Sequence, residues 1–268
     1  MIGTLTLVVL SAWSELPDAG RDAQIAALAA QPLQARLLTA SKDFLGTPYV
    51  VSPLGEGEGR DADPLLRFDA VDCLTFVEET MALATTPTPA ELLPTLSDIR
   101  YHAAPAWEAR EHVMEAQWLP GNLARGHLRD VTRAIGGTAV VQVSKRLDDR
   151  AWASPSGAAL ALPKAAQPRG EYHLDVVPPQ QAVALLGKAP EGTVVVVVRA
   201  DRPNLVTRVS HVGFLVHGPK GPMLRHASRT FGKVVDEPLA AYVGRNLGYA
   251  KWTVAGFALF EVQPLTRK

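Results

Sequence analysis

Only one cysteine, Cys73, occurs in the 268 residues. An intramolecular disulfide is therefore impossible, and a zinc site built from several cysteines is excluded. Net charge is missing too, because 27 Lys and Arg balance 27 Asp and Glu. With no block of one sign and no basic stripe interleaved with aromatics, the chain carries no electrostatic footprint for nucleic acid or for an anionic membrane surface. Long apolar runs are lacking as well. MIGTLTLVVL, at residues 1–10, is far too short to span a bilayer and has no Lys or Arg ahead of it. It reads as ordinary core or as the remnant of a leader. There is no HExxH pattern and no internal repeat.

What remains is core material. The chain is 47% hydrophobic and 20% charged, which suits a folded protein with a sizeable core. Residues 22–45 read as helical with a break near Pro32, after which Leu33, Leu37, Ala40 and Phe44 share one face. Residues 45–64 are rich in Gly and Pro and read as an ordered turn followed by a loop. From Cys73, CLTFVEETMALA has the period of a helix, with an apolar stripe of Leu74, Val77, Met81 and Ala84 and with Asp72 as its N-cap. Residues 91–135 mix helical stretches with two tryptophans and the punctuation Pro120-Gly121-Asn122. A strand is expected over 138–147, and a surface excursion over 148–170, rich in Ala, Pro, Ser and Gly. The last hundred residues turn β-rich: 193–201 suits a strand buried on both faces, 210–218 and 223–228 flank the turn-former GPKG, and 249–262 supplies a further strand or two. Helices first and strands later argue for an α+β fold.

Cys73 opens its helix, where unpaired amides and a partial positive charge favour a thiolate and could hold an oxyanion. A lone cysteine is more often an inert buried residue, but that role fits the middle of an apolar stripe better than a helix start. A thiol nucleophile needs an imidazole within reach. If GPKG closes a hairpin with His217 opposite Pro222, then His226 lies opposite Gly213 and His211 opposite Ser228. His211 and His226 then sit on one face, on a diagonal that long side chains can bridge, and a slip of one residue would separate them. This arrangement makes His211 the base and His226 the group that orients it. Ser228 could line the same cleft or make an ordinary cross-strand contact. Gly213, without a side chain, either leaves room beside the histidines or relieves packing. Three histidines, His211, His217 and His226, could alternatively hold zinc, although no carboxylate cluster accompanies them.

The order GTPYV (46–50), DCLTFVEE (72–79), SHVGFLV (210–216) and LRHAS (224–228) resembles the NlpC-type papain-like hydrolases of the bacterial cell wall. REHVMEAQW (110–118) and RDVTRAIGG (129–137) are similar to an insert of the N-acetylmuramoyl-L-alanine amidase-like branch. The resemblance implies one catalytic domain over 1–268 with a papain-like fold, a helix-borne nucleophile on an antiparallel sheet and a mostly helical insert near 85–137. It implies Cys73 as nucleophile, His211 as base and His226 as third member, with Tyr49 beside the nucleophile. Asp72 is first a helix cap and second a substrate contact, and Arg110, His112 and Trp118 would line the substrate groove. On the residues alone, Tyr49 could simply pack where the GTP turn meets the core. The chain departs from the branch pattern at Gln117, where an acidic residue precedes the tryptophan, and at Val113, where an aromatic follows the histidine.

The expected reaction is cofactor-free and metal-free hydrolysis of an amide in peptidoglycan or a muropeptide. The bond is that between the muramic acid lactyl group and L-alanine; the rivals are the γ-D-glutamyl to diamino-acid bond and a cell-wall binding module with little turnover. Such a substrate puts the protein in the periplasm or outside the cell. The sequence leaves the oligomeric state open.

Overall fold

The valine run becomes the middle of a six-stranded antiparallel sheet. In the computed structural model, which describes residues 12–265, the strand order is β1-β8-β4-β5-β6-β7. These strands are β1 (Leu128–Asp130), β4 (Val194–Arg199), β5 (Val209–Gly218), β6 (Gly221–Ser228), β7 (Lys233–Pro238) and β8 (Val254–Val262), while β2 (Val141–Leu147) and β3 (Gly170–Val176) form a separate hairpin-like pair. Residues 1–10, read above as core or leader remnant, lie outside the described part.

Alternation along β4 assigns the two faces. Val194, Val196 and Val198 belong to one apolar cluster, and Val195 and Val197 to another. The first face carries α1 (Asp18–Ala29), α2 (Leu33–Lys42) and α3 (Cys73–Thr85), with the Phe76 ring edge-on to Phe214 of β5 at 5.7 Å. The second face is covered by α9 (Pro179–Leu186) and α10 (Leu239–Leu247). Burial on both faces explains why β4 has no polar residue until Arg199. No helix among the described residues is long and apolar enough to cross a membrane.

The expected stripe on α3 proves too narrow. Every residue from Thr75 to Thr85 is buried, including Glu78 and Glu79, because α2, α4 (Leu92–Arg100) and the sheet surround the helix. The two carboxyls are accommodated by specific partners. Glu78 accepts from Arg100 Nε at 2.8 Å and from the Trp118 indole N–H at 2.9 Å, and Glu79 accepts from the Arg67 backbone N–H at 3.2 Å. Burial holds both carboxyls above their ordinary range, Glu79 well above it. Removing only the cation should therefore be costly. Arg100→Met is expected to destabilise the chain by about 3–5 kcal/mol, read as a lower urea midpoint with an unchanged slope.

Two further stretches are more helical than their composition suggested. Pro120-Gly121-Asn122 does not break the chain's helical path: a π-helical turn over Met114–Trp118 runs directly into α5 (Leu119–Arg125), which takes Pro120 in its first turn. A further helix, α6 (Thr132–Gly136), ends at the expected double glycine. The 148–170 segment stays largely exposed but is more ordered than a loop. It forms α7 (Asp149–Trp152) and α8 (Pro155–Leu160), and buries Trp152 and Leu162 against Val113, Leu147 and Val206 in a third apolar cluster. A short Ala- and Pro-rich stretch can hold such a cap because Asp148 and Ser154 each cap a helix.

Candidate active site

Cys73 is the first residue of α3 and is half-buried. Its helix starts there because of a complete capping box. Asp72 Oδ1 accepts from the backbone N–H of Leu74 and Thr75 at 3.0 and 2.9 Å, and Thr75 Oγ1 accepts from the Asp72 N–H at 2.8 Å. Asp72 Oδ2 accepts from the Ser52 N–H at 3.1 Å, tying the loop after Tyr49 to the helix. Both carboxylate oxygens are thus engaged by backbone, which makes Asp72 a cap as first expected.

The sulfur differs from expectation in its charge. Burial pushes the thiol up to about 12, and the Asp72 carboxylate pushes the same way. The backbone N–H groups of Val212, Cys73 and Leu74 act in the opposite direction and are outweighed. The helix terminus alone therefore does not produce a resting thiolate. Val212 is free to donate because the β5–β6 ladder ends at Phe214↔Arg225. At that point Val212 and Phe214 face α3, whereas His211, paired with Val197, faces α10. Cys73 thus packs on the α3 face of the sheet beside the backbone of β5 where β5 and β6 part, and the His211 side chain projects from the α10 face of the same strand.

The hairpin register is the one expected, with His217↔Pro222 and Gly218↔Gly221. The two histidines are brought together: His211 Nε2 lies 2.7 Å from His226 Nδ1, with the rings nearly perpendicular at 89°. Beyond them the structure adds groups that the sequence reading missed. His226 Nε2 lies 3.2 Å from Glu237 Oε2, and the Arg245 guanidinium donates to the same oxygen at 2.6 Å. Tyr242 of α10 stacks on His211 at 5.8 Å and meets His226 edge-on at 5.3 Å. Its hydroxyl is pushed above the ordinary tyrosine range by burial and, next, by the charge of the Cys73 sulfur.

Hydrogen-bond chemistry assigns the protons along this chain. A carboxylate can only accept, so His226 Nε2 carries a hydrogen toward Glu237 and its Nδ1 is left as an acceptor. His211 Nε2–H then fills that acceptor, which leaves the lone pair of His211 on Nδ1. Both rings stay neutral. Burial, with the neighbouring His226, Arg245 and Arg199, holds His211 well below its usual range, and burial brings His226 down to about 4.

The remaining predicted residues divide. Tyr49 is half-buried, and its phenol is pushed up to about 12 by burial, the Cys73 sulfur and Asp72, which sets it on the cysteine side. Ser228 is buried with its Oγ accepting from the Phe231 N–H at 3.4 Å, and it lines a cleft of about 340 Å³ beside the histidines. Arg110 spends its guanidinium on Glu56 and Asp61, 2.6 and 2.9 Å away, while His112 Nε2 lies 2.7 Å from the Trp107 carbonyl oxygen and burial pushes the ring down to about 4. With Asp72 these two line a separate cavity of about 150 Å³ at the start of α3. Trp118 is a correction. It is 0% exposed and holds Glu78, so it lines no groove. The zinc alternative finds no geometry either: His217 is exposed at the hairpin end, and no three His, Cys, Asp or Glu side chains among the described residues gather to hold a metal.

Among solved structures, a protein from Legionella pneumophila classed in the family DUF1460 is similar over 92% of this chain and 94% of its own, with TM-score 0.80 and 21% identity. An N-acetylmuramoyl-L-alanine amidase from Bacteroides uniformis is similar over 86% of this chain and 99% of its own, with TM-score 0.66 and 23% identity. At such identities the likeness establishes a shared fold. No curated protein matches the sequence. The profile of one family spans residues 39–249, from the end of α2 past α10, and so takes in the cysteine, both histidines and Glu237. The chain belongs to the AmiA-like, N-acetylmuramoyl-L-alanine amidase-like family.

Proposed function

We propose that this protein is a cysteine-dependent hydrolase of peptidoglycan that cuts the amide between the muramic acid lactyl group and L-alanine, on a papain-like scaffold of the NlpC type. One observation carries the cysteine mechanism: Cys73 opens a fully capped helix and packs against the apolar cluster that holds Val212, the residue that follows His211. In this reading the neutral His211 Nδ1 takes the thiol proton as sulfur attacks the carbonyl carbon. His211 then delivers that proton to the leaving amine, and water, activated by the same nitrogen, hydrolyses the thioester. His226 positions His211, and Glu237 fixes the tautomer of His226 while Arg245 anchors the carboxylate. The Cys73 and Val212 amides are the nearest donors for a developing oxyanion, since Asp72 already occupies those of Leu74 and Thr75. A peptidoglycan substrate sets the workplace in the periplasm or outside the cell.

Two measurements test this. Defined muropeptides incubated with the protein should yield an intact stem peptide by mass. Cleavage after D-glutamate would move the assignment to the γ-D-glutamyl bond, and no cleavage, with Cys73→Ala binding the fragments as tightly as the wild type, would make the protein a binding module. Alkylation of Cys73 by iodoacetamide at neutral pH should slow by about 10²-fold in His211→Ala, because a neutral thiol needs a base to react. Equal rates in the two proteins would dissociate the histidine from the sulfur.

The pH profile has a definite sign. The base works only when unprotonated, and its pKa and that of His226 lie below 6.5, near 4 for His226. Hydrolysis should therefore hold level as pH falls through the ordinary histidine range and drop only below it. Glu237→Leu removes the anion that opposes Arg245, and the rate should fall by roughly 10²-fold at all pH values as His226 loses its fixed tautomer. A full-rate Glu237→Leu protein would remove the carboxylate from the mechanism.

A further inference from the structure

The cleft beside the histidines carries a charge pattern that the proposed reaction leaves unused. Four cations line it, Arg199, Arg229, Arg245 and Lys251, and no carboxylate does. Arg245 is neutralised by Glu237 beneath it. Arg199 donates to the Ser210 hydroxyl, the Trp252 carbonyl and the Asn246 side-chain oxygen, all uncharged, so its charge remains in the wall. Arg229 and Lys251 are exposed at the rim, and among the described residues neither pairs with an acid. In a chain whose charges balance overall, three cations without a counter-ion around one cavity create a local positive field that its low-dielectric walls strengthen. The walls also offer aromatic surface: Tyr249 is 46% exposed, and the Arg199 guanidinium lies 5.3 Å from the Trp252 ring centre.

We infer that this cleft is a subsite for a carboxylate-bearing peptide, with Arg229 pairing with the carboxylate nearest the scissile amide and Lys251 meeting one farther out. Arg229 leaves β6 immediately after Ser228, three residues beyond His226, and its charge is felt at the Tyr49 phenol on the cysteine side. It therefore lines the cleft at the end of the strand that carries His226. A guanidinium at that place can grip a carboxylate with two parallel hydrogen bonds, whereas the ammonium of Lys251 acts as a point charge. The inference rests on the hydrolase reading only for where the scissile amide lies; it places the acidic peptide side of the substrate over the histidines.

The test is a calorimetric titration of full-length Cys73→Ala protein with two probes, a muramoyl tripeptide with free carboxylates and the same compound with its carboxylates amidated. The acidic form should bind about tenfold tighter, the scale of one partly exposed charge-assisted pair. Adding Arg229→Gln or Lys251→Gln should shrink that preference, and Arg229→Lys should keep part of it. Equal binding of the two probes, binding of neither, or a preference unchanged in both glutamine variants overturns the inference. Turnover by the wild type is measured alongside. Cleavage without a charge preference removes the subsite and keeps the hydrolase, and preference without cleavage does the reverse.

Discussion

Replacing Cys73 with alanine should lower the hydrolysis of peptidoglycan fragments on the order of 10⁴-fold or more, with the thermal midpoint almost unmoved. The large effect follows from the covalent route, in which the thioester formed on Cys73 splits the reaction in two. The small effect on folding follows from the start of α3. Asp72 and Thr75 hold the first amides of the helix without using the sulfur, and Cys73 is only half-buried. His211→Ala should cost nearly as much, and the double variant should be little worse than either single one, because base and nucleophile act as a unit. Turnover surviving in Cys73→Ala would end the cysteine mechanism outright. Additive losses would show that the two residues act in separate steps.

The second large effect belongs to a residue with no side chain. A Cβ built on Gly213 would stand 2.7 Å from the Arg225 carbonyl oxygen and 2.9 Å from the His226 Cβ. The first neighbour is backbone, so the strands themselves must separate to admit a methyl group. Gly213→Ala is expected to cost about 1–3 kcal/mol, as overpacking does. The same movement pulls His211 away from His226, whose present separation of 2.7 Å leaves nothing to spare. Misplacement by about an ångström lowers a rate by roughly 10²-fold. Chemical denaturation and steady-state rates on one preparation check both parts. A Gly213→Ala enzyme with full activity would mean that β5 and β6 tolerate a wider gap, and that the close contact of the two rings is dispensable.

The parts of this molecule that were legible in the sequence are those fixed by short-range rules. The start of α3 follows from Asp72 and Thr75, three residues apart. The meeting of His211 and His226 follows from a two-residue turn, Pro219-Lys220, which sets the register for the whole hairpin. The same reasoning carried one hairpin farther would have found Glu237. Ser228↔Lys233 sets a register in which Leu224 faces Glu237, so the carboxylate lies diagonally from His226 as His226 lies from His211. Arg245 and Tyr242 had no such signal, because the seating of α10 on the sheet depends on contacts far apart in the chain. Trp118 was misread for a related reason. An indole serves grooves and interiors alike, and what decided its place was the enclosure of α3, which its own sequence, with two adjacent glutamates, did not announce. The alanine-rich 148–170 segment likewise hid two capped helices behind a composition typical of loops.

The enclosure of α3 also bears on how the protein would lose function under stress. A helix surrounded by other elements along all but its first turn opens to solvent only when the whole fold opens, so its amides should be among the slowest to exchange with deuterium. The Cys73 sulfur is mounted on the end of that least yielding piece. Inactivation by heat should therefore track global unfolding and not run ahead of it, and a protease that nicks exposed loops should leave the cysteine's immediate surroundings in place.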